Sequence, residues 1–241
     1  MNNDDKRVID SIKILGLDMI DAAKSGHPGI VLGASPIIYS LYANHVNIDV
    51  TNPKWINRDR FVLSAGHGSA LLYSTLFMAG YNIDIEELKN FRRLNSKAPG
   101  HPEYGITEGV EMTTGPLGQG IASAVGMAMA ERYIASKLNT KDKTIIDYNT
   151  YVLCGDGDLM EGVSNEAISL AGTLKLGKLI VLYDSNNITL DGATTKSFTE
   201  NVCDKFKAMG WHTETIRKGE DVKAISHAIA SAKKVSNKPS F

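Results

Sequence analysis

Three short runs rich in β-branched, aliphatic and aromatic residues, alternating with helix-forming stretches, predict an α/β fold: a mostly parallel sheet with helices on both faces. The runs are Arg60–Ser64, Tyr151–Cys154 and Lys178–Tyr183, and each ends in a loop of Gly, Asp, Asn or His. The helix-forming stretches are Ser69–Met78, Gly118–Ala135 and Val163–Leu174. No Asn-Gly or similar two-residue turn joins one strand run to the next, which argues against hairpins.

Taken in order, the chain opens with a polar, acidic segment, Met1–Arg7, followed by an amphipathic stretch, Val8–Ile20, without the apolar core of a signal peptide. Six of the seven prolines precede residue 117, so the front half is expected to be loop-rich and the back half more regular. The stretch after Gly118 is crowded with small residues: Gly120, Ala122, Ser123, Ala124, Gly126, Ala128 and Ala130, interleaved with Met127 and Met129. Such a helix packs tightly inside the fold or presents a surface for self-association, since methionine is enriched at interfaces. No repeat, low-complexity tract or linker interrupts residues 1–241, so a single domain is expected. The final Lys238-Pro-Ser-Phe241 resembles the start of a further strand.

Composition removes several classes of function. Twenty-six Lys and Arg against 27 Asp and Glu leave no field that favours nucleic acid or an anionic membrane. No apolar run approaches membrane-spanning length. Two cysteines without paired spacing, Cys154 and Cys203, argue against a disulfide framework or a cysteine-built zinc site. A cytoplasmic location is the expectation.

The chemistry concentrates at Tyr151-Val-Leu-Cys-Gly-Asp-Gly-Asp-Leu-Met-Glu-Gly162, which runs from a buried strand through a glycine turn towards a helix. Asn186 lies thirty positions after Asp156, just beyond the next strand run. A βαβ unit needs roughly 30 residues or more, so both loops would leave the same edge of a parallel sheet. Asp156 and Asn186 could then face one ion. Mg2+, with Ca2+ or Mn2+ able to substitute, takes oxygen ligands and completes its shell with phosphate oxygens and water. One carboxylate and one amide oxygen leave the ion with net positive charge for a diphosphate. Gly155 and Gly157 permit close backbone approach, and the following helix N-terminus adds exposed N–H groups. There is no G-x-x-x-x-G-K-[ST] loop, no complete EF-hand ligand set, and Gly115-Pro-Leu-Gly-Gln-Gly120 is not the dinucleotide fingerprint.

Three of the six histidines share a setting of glycine or proline: Ser25-Gly-His-Pro-Gly29, Ala65-Gly-His-Gly-Ser69 and Pro99-Gly-His-Pro-Glu103. Loops shaped in this way concentrate function. With Asp59-Arg-Phe-Val-Leu-Ser64, Thr113-Thr-Gly-Pro-Leu-Gly-Gln-Gly120, Gly155-Asp-Gly-Asp-Leu-Met-Glu-Gly162 and Leu182-Tyr-Asp-Ser-Asn-Asn-Ile188, the sequence resembles transketolase, in particular its N-terminal diphosphate-binding half. The resemblance covers nearly the whole chain.

The resemblance implies thiamine diphosphate as cofactor, with Asp156, Asn186 and the Ile188 carbonyl as ligands of the metal. His67 and Gly157, with Asn186, resemble contacts to the cofactor's diphosphate. Gly115 and Leu117, with Pro116 between them, resemble contacts to its rings. His27 and His101 resemble residues that bind sugar hydroxyls or assist proton transfer, and Glu161 an acidic residue at a subunit interface that couples paired sites. The implied reaction is ketol transfer from a ketose phosphate to an aldose phosphate, a step of the pentose phosphate pathway, with the cofactor as electron sink. The pyrimidine-binding and C-terminal domains of the family have no counterpart in these residues. A separate C-terminal subunit is therefore implied, giving a heterotetramer of two chains of each kind. Rival readings are a subunit of deoxyxylulose-phosphate synthase or of a 2-oxoacid dehydrogenase, or a non-catalytic cofactor-binding subunit. Asp158 stands where the family has a small or neutral residue, and would add negative charge near the diphosphate unless it points away. Asn187 stands in place of a common glycine.

Overall fold

The computed structural model describes residues 2–186, 188–189 and 192–241. Helix α1 (Asn3–Ala23) begins where Asn2 caps it: Asn2 Oδ1 accepts the Asp5 N–H at 2.7 Å, and the Asp5 carboxylate accepts the Asn2 N–H in return. Helix α2 (Pro28–Asn44) starts on a proline, whose missing N–H costs nothing in a first turn, and carries Pro36 within it. Strand β1 (Arg60–Leu63), α3 (Ser69–Ala79) and α4 (Ile85–Lys89) follow. After a long irregular segment come α5 (Gln119–Leu138), β2 (Thr150–Gly155), α6 (Asp156–Met160), α7 (Gly162–Leu174) and β3 (Leu179–Asp184). The short strands β4 (Ile188–Thr189) and β5 (Gly192–Ala193) precede α8 (Val202–Ala208) and α9 (Val222–Lys234).

The main sheet runs β1-β2-β3 with both pairings parallel. Arg60 stands opposite Thr150, and Thr150 opposite Leu179. Asp59 fixes the β1 end of this register, its two carboxylate oxygens accepting the N–H groups of Asn149 and Asn47 at 2.6 and 2.9 Å. Beyond β3 the parallel pattern continues through single bridges from Ser240 to Ile180 and to His212. Pro239–Phe241 therefore extends the sheet, as the strand-like end of the sequence predicts.

Alternation along the strands sends side chains to two layers. Phe61, Leu63, Tyr151, Leu153 and Ile180 join the core formed with α1, α2, α3 and α9. Val62, Val152, Cys154, Leu179 and Val181 join the core formed with α5, α7 and α8. Both faces are covered, which is why these strands read as continuous apolar runs. Helix α5 reaches its unusual closeness to the sheet through Gly120, where a Cβ would lie 2.5 Å from Ser64 Cα.

The three predicted strands and three predicted helices are present with ends shifted by a few residues at most. Two features depart from expectation. An antiparallel pair, β4 with β5, follows the main sheet, with Ile188 opposite Ala193 and Thr189 opposite Gly192. Helices α2, α4, α8 and α9 occupy segments for which no element was expected. Asn187 lies outside the described residues. Among those described, no helix is long and apolar enough to cross a membrane.

Candidate functional site

Parallel pairing brings the C-terminal ends of β1, β2 and β3 to one edge, and the loops that carry His67, Asp156 and Asn186 leave from there. Gly155 and Asp184 are register partners, so the Asp156 and Asn186 loops depart side by side. Asp156 is buried at the start of α6. Its Oδ1 accepts a hydrogen bond from the Tyr183 hydroxyl, while Oδ2 is buried with no hydrogen-bonding partner. Burial raises the Asp156 carboxyl above the usual range, and the Tyr183 bond opposes that shift. Burial, reinforced by the bond to Asp156, pushes the Tyr183 hydroxyl well up, so it remains the donor. Asn186 Nδ2 donates to Asp184 Oδ2 at 3.4 Å.

The opposite wall is built from the histidine loops. His27 stands at the N-cap of α2 and His67 in the 3-10 turn Gly66–Gly68, their rings meeting edge to face with centroids 5.0 Å apart. Burial first, then the charges of His27 and His101, push His67 down to about 4. Burial, then Arg92 and His27, lowers His101 as well. At neutral pH both rings are neutral, each with one donor and one acceptor nitrogen. His27 Nδ1 is buried without a partner. Gly66 allows the Gly115 loop onto this wall, since a Cβ there would fall 2.6 Å from Gly115 N.

Asp158 does not face the cleft as a bare charge. Its Oδ1 accepts the Ser64 hydroxyl at 2.6 Å and the Gly118 N–H at 2.9 Å, and its Oδ2 accepts the Gly155 N–H at 3.0 Å. One buried carboxylate ties together the end of β1, the start of α5 and the end of β2.

A cleft of about 680 Å³ lies between the walls. His27, His67, His101, Gly115 and Leu117 line it from one side, and Asp156, Gly157, Glu161 and Asn186 from the other. Pro116 is exposed and is not part of that lining. Ile188 begins β4 two residues after Asn186. Asp184 and Tyr183 also belong to the site's surroundings. The sequence offered a signal for Asp184 in Tyr183-Asp-Ser-Asn186, and none for the bond that Tyr183 makes.

The model of the family described as transketolase, thiamine diphosphate binding domain, matches residues 4–241. The chain belongs to this family. The probable transketolase of Streptococcus pneumoniae is 56% identical over 97% of the chain, and Bacillus subtilis transketolase 53% identical over 100%. A crystal structure of Pichia stipitis transketolase in complex with sedoheptulose 7-phosphate has a TM-score of 0.96 at 50% identity over 98% of the chain. The chain spans about a third of each relative: 35%, 36% and 35% of their lengths.

For a transketolase-family domain the question at this cleft is whether its residues fit a metal-bound diphosphate. Among the described residues, no group of three His, Cys, Asp or Glu could hold a metal ion. A cation at Asp156 would therefore draw its remaining ligands from amide, backbone, phosphate and water oxygens, the set that Mg2+ shares with phosphates. A buried carboxylate oxygen without a partner is costly unless something positive meets it. Asp156 Oδ2 meets that condition, and the residues fit.

Proposed function

We propose that this chain is the thiamine diphosphate-binding subunit of a transketolase. In this reading Asp156, Asn186 and the Ile188 carbonyl hold a Mg2+ ion, for which Ca2+ or Mn2+ can substitute. The observation that carries the reading is the orphaned, buried Asp156 oxygen in a cleft walled by three histidines. His67, Gly157 and Asn186 bind the diphosphate, and the Gly115-Pro116-Leu117 segment bears on the cofactor's rings. Thiamine diphosphate, when bound, supplies the electron sink for cleaving the carbon–carbon bond of a ketose phosphate. His27 and His101 hold sugar hydroxyls and move protons, roles that an imidazole fills through either ring nitrogen. Glu161, exposed at the cleft's rim, faces a neighbouring subunit and couples paired sites.

The chain matches about a third of its relatives' length; the remaining machinery, including the pyrimidine-binding domain, lies in the unmatched part of those relatives and is proposed to be supplied by a C-terminal subunit. Self-association through the small-residue helix α5, which exposes Met129 and Tyr133, would make the assembly a heterotetramer. The location proposed is the cytoplasm and the pathway the pentose phosphate pathway.

Two experiments test these statements. Asp156→Ala is expected to weaken Mg2+-dependent cofactor binding by at least the roughly 10–100-fold typical of losing an outer-shell partner, since it removes a direct ligand. Unchanged Mg2+-dependent binding by calorimetry in the reconstituted complex would remove the metal role. The purified chain with thiamine diphosphate, Mg2+, xylulose 5-phosphate and ribose 5-phosphate is expected to be inactive until the second polypeptide is added. Robust turnover by the chain alone would overturn the two-subunit reading.

A further inference from the structure

We infer that Tyr183 is a positioning residue that makes Asp156 a one-oxygen ligand and thereby biases the site towards Mg2+ over Ca2+. The inference rests on the proposal that Asp156 holds a divalent cation. A carboxylate has two equivalent oxygens and can meet a metal through one or both. Ca2+ accepts either mode within a loose shell of six to eight oxygens, whereas Mg2+ demands a near-ideal octahedron at about 2.0–2.1 Å. The two oxygens of one carboxylate are too close together to span an octahedron's right angle. At Asp156 that choice is already made. The Tyr183 hydroxyl occupies Oδ1, and only Oδ2 is left without a partner.

The phenol is not free to move away. Its ring stacks on Phe241 at 5.5 Å and 27°, and Phe241 stacks on Phe206 at 3.7 Å and 20°. Phe206 in turn meets Trp211 edge-on at 5.0 Å, and Trp211 Nε1 donates to the Ile168 carbonyl at 2.9 Å. Phe206 and Trp211 are both buried in the core beside α7. An aromatic column therefore runs from that core to the carboxylate and holds the hydroxyl in place. A tyrosine that only satisfied a buried acid would need no such support and would not discriminate between cations.

Tyr183→Phe keeps the stack and removes only the donor. Binding is read with Mn2+ by its electron paramagnetic resonance signal, and with Mg2+ and Ca2+ by competition against it, in the chain assembled with the C-terminal subunit and with thiamine diphosphate present. Mg2+ affinity is expected to fall by roughly 10–100-fold, as for other outer-shell partners. Ca2+ affinity should fall much less, so the Mg2+/Ca2+ preference collapses. An equal loss of both, or no loss of either, overturns the inference. Should Y183F fail to fold, Phe241→Leu, which keeps the hydroxyl and loosens its ring, is expected to shift the preference the same way, and an unmoved preference overturns it. Asp156→Ala separates the two levels. Retained Mn2+ binding in D156A removes the metal site itself, whereas lost binding in D156A with an unmoved preference in Y183F removes only the part assigned to Tyr183.

Discussion

A carboxylate that accepts three hydrogen bonds loses by exchange for an amide, because the new NH2 must face a donor. Asp158 is in that position between Ser64, Gly118 and Gly155. Asp158→Asn is expected to cost about 2 kcal/mol, the scale of a buried donor left unmatched. For a chain of this size that is a drop of roughly 4–8 °C in melting temperature. A melting curve superimposable on the parent's would show that the tie is dispensable. His67 gives a pH dependence of definite sign. Its folded value of about 4 lies below the ordinary 6.5, so between those values the unfolded chain binds more protons at this site. Its contribution makes stability rise with pH, is lost as pH falls from about 6.5 to about 4, and changes no further below that. The raised carboxyls of Asp156 and Asp158 act in the opposite sense, so comparison with a variant isolates the histidine. His67→Asn should flatten the dependence of the urea midpoint on pH in this window, and an unchanged slope would contradict the shift. Asp156, Asn186 and the three histidine loops were legible in the sequence, because spacing across a βαβ unit and glycine-flanked histidines are local signals. The inward turn of Asp158 and the bond from Tyr183 were not. Both depend on which strand lies beside which, and that is settled only by packing.

Helix α5 shows how one element divides between fixed and tolerant faces. Gly120 meets the backbone of Ser64, whereas a Cβ at Gly126 would meet nothing within 4 Å. Gly120→Ala is expected to cost about 1–3 kcal/mol through overpacking against β1. Gly126→Ala should stabilise by up to about 1 kcal/mol, since alanine is the better helix former. Thermal melts of the pair check both signs, and a destabilised G126A would mean that another copy covers this face. The three strands were readable because each is a short apolar run closed by turn residues, and α3, α5 and α7 because they fill the intervals. Helix α2 was not readable, since Pro28 and Pro36 punctuate it and its apolar residues surround the axis. Helix α9 carries an apolar stripe of Val222, Ile225, Ile229 and Ala232 behind the Asp221 cap, a visible pattern that a reading led by strands passed over.

The two cores lie on opposite faces of the same three strands, so neither layer can be stripped without exposing the sheet to water. Residues 1–241 are therefore proposed to unfold in one cooperative step, with equal calorimetric and van't Hoff enthalpies. Two resolved transitions would divide the chain into separate domains. The pairing of β1 with β2 has a temporal side. Arg60 must find Thr150, whereas β2 needs only the short α6–α7 crossover to reach β3. Closing the longer loop costs more chain entropy before any contact rewards it, and distant pairing slows folding. On a ribosome adding about 5–20 residues per second, β1 waits several seconds or more for its neighbour to emerge. The histidine turn at its end is synthesised early and waits until β2 has emerged to find its place. A nascent chain thus has an acidic half-pocket only after its imidazole half has spent time without a wall to lean on.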